Sequence, residues 1–358
     1  MTVEVDPLRI RNAWLGRISG CELGKPVERF SMREGPAALS AYLDEVGALP
    51  LRNYVPYREG TIPASMRGTC LGEMSRAEQD DDINYTALAL LMLEQHGTAL
   101  STADVARAWM LRLPPGQTYT AERAAYRVLL AKSHDRFVSG GEPGFDLAEC
   151  AQNEFNDWIG AQIRADLYGW VCPGDPALAA SLARRDAELS HVEDGVYGAM
   201  FVAALGAAIP AAADLDAAIE RASAEIPADS RAVEAVRFGR SLSGAPDATA
   251  QLHERYEGMS PVHTLNNLAV VVWALHTYWY DYSAAIGEAV IAGWDTDCNG
   301  ATVGALWGLS GREIPALWTE PWSGTVDIGL GGWGETPVDE LVDRTVAVAR
   351  AIAEGPAR

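Results

Sequence analysis

Residues 80–97, DDDINYTALALLMLEQHG, open with three consecutive aspartates and continue as a run that is apolar on nearly every side. From Asn84 to His96 this reads as a buried helix, and Gly97 supplies its C-cap. Residues 294–308, WDTDCNGATVGALWG, repeat the design, with Asp295 and Asp297 placed just before an apolar segment. There Gly300, Gly304 and Gly308 recur at a spacing of four, which bares one side of a helix for close packing. Two acidic knots thus stand at the starts of two buried helices.

Outward from these helices, periodicity of 3.6 dominates. Residues 6–23 place Leu8, Ile10, Trp14, Leu15 and Ile18 on one face. Further helices are expected over 102–113, 158–168, 176–189, 198–209, 215–225, 231–242, 265–278 and 282–292. The last, 338–354, is expected to take Thr336 as N-cap and Pro337 as its first residue, with Gly355 beyond its end. Strand-like alternation is nearly absent, and neither a repeat nor a Pro/Ser-rich linker divides the chain. The expectation is one all-α domain over 1–358, with a core over about 8–312 and a C-terminal loop and helix over 320–355. Residues 26–65, 116–155 and 320–335 read as loops. The last holds five glycines around Trp322 and Trp333, and reads either as a surface connection or as the mobile edge of a binding cleft.

The 358 residues include 49 acidic and 28 basic side chains, a net charge of −21. That balance excludes nucleic-acid backbones and anionic membranes as expected partners, since both require a basic footprint. A hydrophobic fraction of 48% belongs to a folded globular chain. No apolar run reaches the roughly 18–20 residues of a membrane span, the most apolar stretch (199–213) being interrupted by Pro210. The N-terminus carries neither a basic start nor an apolar signal core, so a cytoplasmic protein is expected. Five scattered cysteines without a C-x-x-C pair are expected to be free thiols, and no histidine stands at zinc-ligand spacing from one.

One aspartate per helix start is explained by capping and by the helix dipole. Three in a row, and then a pair, are not. Clustered carboxylates repel, and burying them unpaired raises their pKa values or destabilises the fold. A bound hard cation removes the conflict, and oxygen donors with few histidines point to Mg²⁺, Mn²⁺ or Ca²⁺.

On these motifs the chain resembles the ADP-ribosylglycohydrolases, which include the dinitrogenase reductase-activating glycohydrolases. That family carries an early Gly-Asp-Ala-Leu-Gly-x-Pro-x-Glu, then Thr-Asp-Asp-Thr and a late Gly-Asp-Thr-Asp-Thr-Asn, each of the last two opening an apolar helix. Here the matching stretches are Gly20-Cys-Glu-Leu-Gly-Lys-Pro-Val-Glu28, Asp80-Asp-Asp-Ile-Asn-Tyr-Thr86 and Trp294-Asp-Thr-Asp-Cys-Asn299. Gly160-Ala-Gln-Ile-Arg164 and Ser190-His191 are similar to two intervening motifs. The resemblance implies a compact, orthogonally packed all-α domain and a centre of one or two Mg²⁺ ions, with Mn²⁺ as an alternative. It implies Asp80, Asp81, Asp82, Asp295 and Asp297 as metal ligands. Asp80 and Cys298 stand where the family has threonine ligands, Cys21 where it has an aspartate, and Trp294 where it commonly has glycine.

The chemistry so implied is hydrolysis at C1″ of an ADP-ribosyl group, through an oxocarbenium-like state. Glu28 or Asp81 is then the expected base. Phe155, Asn156, Asp157, Gly160, His191 and Trp294 are the expected substrate contacts, although Trp294 reads more readily as core packing. His263 and Asn267 are either helix caps or cleft residues. Three other readings stay open: hydrolysis of a free NAD-derived or other N-riboside, binding of ADP-ribose without cleavage, and metal-independent carbohydrate hydrolysis.

Overall fold

Asp6 ends an extended segment and caps the first helix, Pro7–Gly24: its Oδ1 accepts the Leu8 N–H at 2.9 Å. Pro7 takes a position where no N–H is needed. This helix lies against Thr296–Gly308, the helix of the second acidic knot, at the centre of the molecule. The contact is backbone on backbone. A Cβ added to Gly20 would sit 1.9 Å from the Gly300 carbonyl oxygen, one on Gly304 2.1 Å from that of Gly16, and one on Gly308 2.3 Å from that of Asn12. The partners step by four in opposite directions, so the helices run antiparallel. The Thr296 hydroxyl closes the pair by donating to the Gly24 carbonyl at 2.8 Å.

The computed structural model describes residues 3–355 and is all-α, as expected, apart from an antiparallel pairing of Thr325–Asp327 with Glu335–Pro337. The first acidic knot leads into Asp81–His96, which ends at Gly97 with a positive φ of 51°. The helices Thr264–Thr277 and Tyr282–Ile291 pack on Thr296–Gly308 from another side. Glu193–Ala208 is buried along almost its whole length.

Several expectations are corrected. The helix expected over 158–168 is broken into Gly160–Ile163 and Asp166–Trp170. Buried Arg17 donates to the Ile163 carbonyl and to Asp166, removing that carbonyl from the helical ladder. The presumed loops at 26–65 and 116–155 contain Glu28–Glu34, Pro36–Glu45 and Thr120–Lys132, and Ala248–Arg255 is also helical. Their apolar stripes are short, such as Leu39, Tyr42 and Leu43 on Pro36–Glu45. The helix expected over 198–209 begins at Glu193, so the 19 residues Glu193–Ala211 are long and apolar enough to cross a membrane. In this fold 83% of the apolar window is buried, which makes it a core helix.

The glycine-rich segment is anchored rather than free at its first tryptophan. Trp322 is buried and its Nε1 donates to the Trp318 carbonyl at 2.7 Å and to the Tyr54 hydroxyl at 3.1 Å. Val338–Glu354 is helical as expected, but Pro337 and not Thr336 stands at its cap, because Thr336 is paired with Val326.

Candidate metal centre and active site

The two acidic knots meet where the first helix ends. Asp80 caps its helix, Oδ1 accepting the Asp82 N–H at 3.1 Å, while Oδ2 lies 3.2 Å from Lys25 Nζ. Lys25 is buried and also donates to the Gln79 carbonyl. Asp82 lies beneath: Arg17 Nη2 donates to its Oδ1 at 2.8 Å, and Oδ2 has no partner.

Opposite, Gly293 and Trp294 turn the chain through the left-handed region, with φ of 84° and 58°. That conformation explains why a glycine suits position 294. It delivers Asp295 with Oδ1 unpartnered and Asp297 with Oδ1 accepting the Cys298 N–H at 3.0 Å. Asn267 braces this turn from the next helix. Its Oδ1 accepts from Asn299 Nδ2 at 2.8 Å and its amide donates to the His263 carbonyl at 2.8 Å.

A cavity of about 430 Å³ opens over these groups, lined by Glu28, Asp80, Asp81, Asp295 and Asp297 among others. Three donor groups have ligand atoms within 4.8 Å of one another: Glu28, Asp295 and Asp297; Asp82, Asp297 and Cys298; and Cys21, Asp80 and Asp82. Burial, then the charges of Asp297 and Asp80, push the Glu28 carboxyl well above its ordinary range. Burial with neighbouring carboxylates does the same to Asp81 and Asp295, and raises Asp297 to about 6. Asp80 goes the other way: burial opposes its charge, but the Lys25 ammonium and the Asp82 N–H outweigh it. Buried, mutually repelling carboxylates with unpartnered oxygens fit a hard divalent cation. The Cys298 thiol is a poor oxygen substitute, so the all-carboxylate group is the better seat.

All five expected metal ligands therefore come together, with Asp81 on the cavity wall outside the three tight groups. Both candidate bases, Glu28 and Asp81, line the cavity. The expected substrate contacts divide. Gly160 lines it, and a Cβ there would lie 2.2 Å from Glu122 Oε1, so any larger residue would push that carboxylate off Arg164. Phe155, Asn156 and Asp157 stand beside the lining: Phe155 packs on Trp158 at 4.7 Å, the Asn156 amide donates to Ala151, and Asp157 pairs with His263 at 3.1 Å. His191 is buried behind Glu122, Nδ1 bonded to Ser190 Oγ at 2.8 Å. Trp294 packs against His253, ring centroids 4.0 Å apart, and acts as core. His263 and Asn267 likewise brace helices and do not line the cavity.

Sequence reading missed Lys25, Arg29, Tyr119, Glu122 and Trp158 in the lining. Glu122 is held by Arg164, which also grips Asp186 at 2.7 Å. Tyr119 and Arg29 are exposed at the cavity, and Arg29 makes no ion pair among the described residues. The glycine-rich segment backs one wall: Gly329 N–H donates to Asn84 Oδ1 at 2.8 Å, and Asn84 Nδ2 to Gln117 Oε1 at 3.1 Å.

Comparison with known proteins agrees with this geometry. A search of curated proteins returned no match. Among solved structures, one titled "ADP-ribosylglycohydrolase-related protein complex" is similar in fold, with a TM-score of 0.55 and 19% identity. That alignment covers 96% of this chain and 99% of the other. The family model for ADP-ribosylglycohydrolase matches residues 4–353, nearly the whole chain, and with the paired acidic helix starts in place this protein belongs to the ADP-ribosylglycohydrolase family.

Proposed function

We propose that this protein hydrolyses the glycosidic bond at ribosyl C1 of an ADP-ribosylated substrate, using Mg²⁺ or Mn²⁺ seated where Glu28 and the two acidic helix starts converge. The observation that carries this reading is the convergence of Glu28, Asp295 and Asp297 at one cavity, with an Asp295 oxygen left without a hydrogen-bond donor. A divalent ion bound there would supply Lewis-acid chemistry, anchoring ribose hydroxyls and acidifying a water.

The chain's own groups do the rest. Asn267 and the left-handed turn at Trp294 fix Asp295 and Asp297, so the acidic floor needs little reorganisation. That floor is matched to the positive charge that develops at C1 during cleavage. Glu28 and Asp81, both on the cavity wall, are the candidates to take a proton from the attacking water, and Asp81, outside the tight donor groups, is the one left free when Glu28 holds the ion. Tyr119 and Trp158 offer planar rings to a base, and the free Arg29 guanidinium offers charge-assisted donors to a diphosphate.

Calorimetry with ADP-ribose, in Mg²⁺ or Mn²⁺ and then in EDTA, tests the assignment. Binding that requires the ion supports it. An occupied metal centre with no ADP-ribose binding moves the substrate to another riboside.

A further inference from the structure

The carboxylates of the centre are not neutralised evenly. On one side, Lys25 Nζ lies 3.2 Å from Asp80 Oδ2, with the two side chains only 7% and 10% exposed. Arg17 covers Asp82 Oδ1 on the same side at 2.8 Å, while its Oδ2 stays without a partner. On the other side, Glu28, Asp295 and Asp297 form no ion pair among the described residues, although their ligand atoms lie within 4.8 Å of one another. Asp295 there keeps a buried oxygen with no partner.

We infer that the Lys25 ammonium is a built-in cation that closes the Asp80 side, so that the centre takes a single divalent ion, held by Glu28, Asp295 and Asp297. The inference rests on the metal centre proposed above and adds its stoichiometry. An ammonium is a compact, strongly hydrated charge, well suited to replace an ion beside a carboxylate. Lys25 is fixed there from two directions, since its backbone N–H bonds the Cys21 carbonyl at 2.9 Å and its Nζ also donates to Gln79. A second divalent ion at Asp80 would have to displace it. The donors left there are the Cys21 thiol and one oxygen of Asp82, whose other oxygen is held by arginine, too few oxygens for a hard divalent ion.

The test is titration of the metal-free full chain with Mn²⁺, read by electron paramagnetic resonance and by equilibrium dialysis. The expected result is one tight ion per chain with the spectrum of an isolated Mn²⁺. Lys25→Met is expected to admit a second ion and to show a magnetically coupled pair. Lys25→Met/Asp80→Asn removes both charges together, so neither partner of that pair is left buried alone, and keeps a good N-cap. It should retain the single ion with affinity within about threefold of the parent. A coupled pair in the unmodified protein overturns the inference while leaving the metal centre in place. No tight Mn²⁺ in the unmodified protein overturns both. Loss of the single ion in the double variant overturns the assignment of its ligands to the Glu28 side.

Discussion

Arg17 and Asp82 form a wholly buried pair: Nη2 donates to Oδ1 at 2.8 Å and Nε to the Asp82 carbonyl at 2.9 Å. The same guanidinium reaches Asp166, so one arginine ties the first helix to the first acidic helix and to the broken segment beyond Ile163. Because it occupies Oδ1 alone, the second oxygen of Asp82 stays without a partner beneath the cavity. Removing one partner of a buried pair leaves an uncompensated charge. Arg17→Met should therefore cost about 3–5 kcal/mol in urea unfolding. A loss below about 1 kcal/mol would show that the pair is solvated in solution.

The glycine seam between the first helix and Thr296–Gly308 holds the Lys25 end of the first helix against the Asp295–Asp297 turn. Gly20→Ala and Gly304→Ala each place a methyl group within 2.1 Å of a backbone oxygen, so the helices must separate. Each should lose at least about 1–3 kcal/mol of stability and weaken Mn²⁺ binding. Gly334→Ala, where an added Cβ meets nothing within 4 Å, is the control. Equal melting temperatures for all three would contradict the seam.

Glu22 is buried, with Oε1 accepting the Glu78 N–H at 3.0 Å and Oε2 unpartnered. Burial raises its carboxyl from 4.5 to about 8, with Asp80 adding to the rise and Lys25 opposing it. A group raised on folding stabilises the protein fully below its unfolded pKa, and that contribution fades as pH rises through the folded value. In EDTA, Glu22→Gln should therefore gain on the parent between about pH 4.5 and 8. Thermal melts across that window check it; a pH-independent difference would sink the assignment.

Metal occupancy should also register as stability. Saturating Mn²⁺ at about 100 times its dissociation constant adds about 2.7 kcal/mol to a site absent from the unfolded chain. Asp297→Asn should remove that increment while its metal-free melt stays close to the parent's. A full increment in this variant would place the ion elsewhere.

The parts of the site visible in the sequence were those encoded locally. Three aspartates before an apolar run, and a pair before glycines spaced by four, announce themselves by spacing alone. Gly97 marks a helix end for the same reason. Lys25 gave no such signal, because its role depends on a partner 55 residues away, brought near only when the first helix ends beside Asp80. His191 carried a motif but folds inward, towards Ser190 and the pair of Arg164 with Glu122. Residues 155–157 were placed one step short, since Trp158 turns towards the cavity and its predecessors bond to neighbouring loops and helices. Trp322 lies in a glycine-rich stretch whose composition suggests mobility, while its indole is fixed by the Trp318 carbonyl and by the Tyr54 hydroxyl, a partner far away in sequence.

The central claim is that the acidic helix starts form a metal-dependent centre for cleaving ADP-ribosyl bonds. The most direct measurement is chromatographic release of ADP-ribose from peptides ADP-ribosylated on arginine and on serine, in Mg²⁺ or Mn²⁺, after EDTA, and after metal is restored. The account predicts release from at least one acceptor, its loss in EDTA, its return with metal, and none from Asp297→Ala. Undiminished release in EDTA, or no release from any acceptor by a protein shown to hold its ion and to bind ADP-ribose, would contradict it.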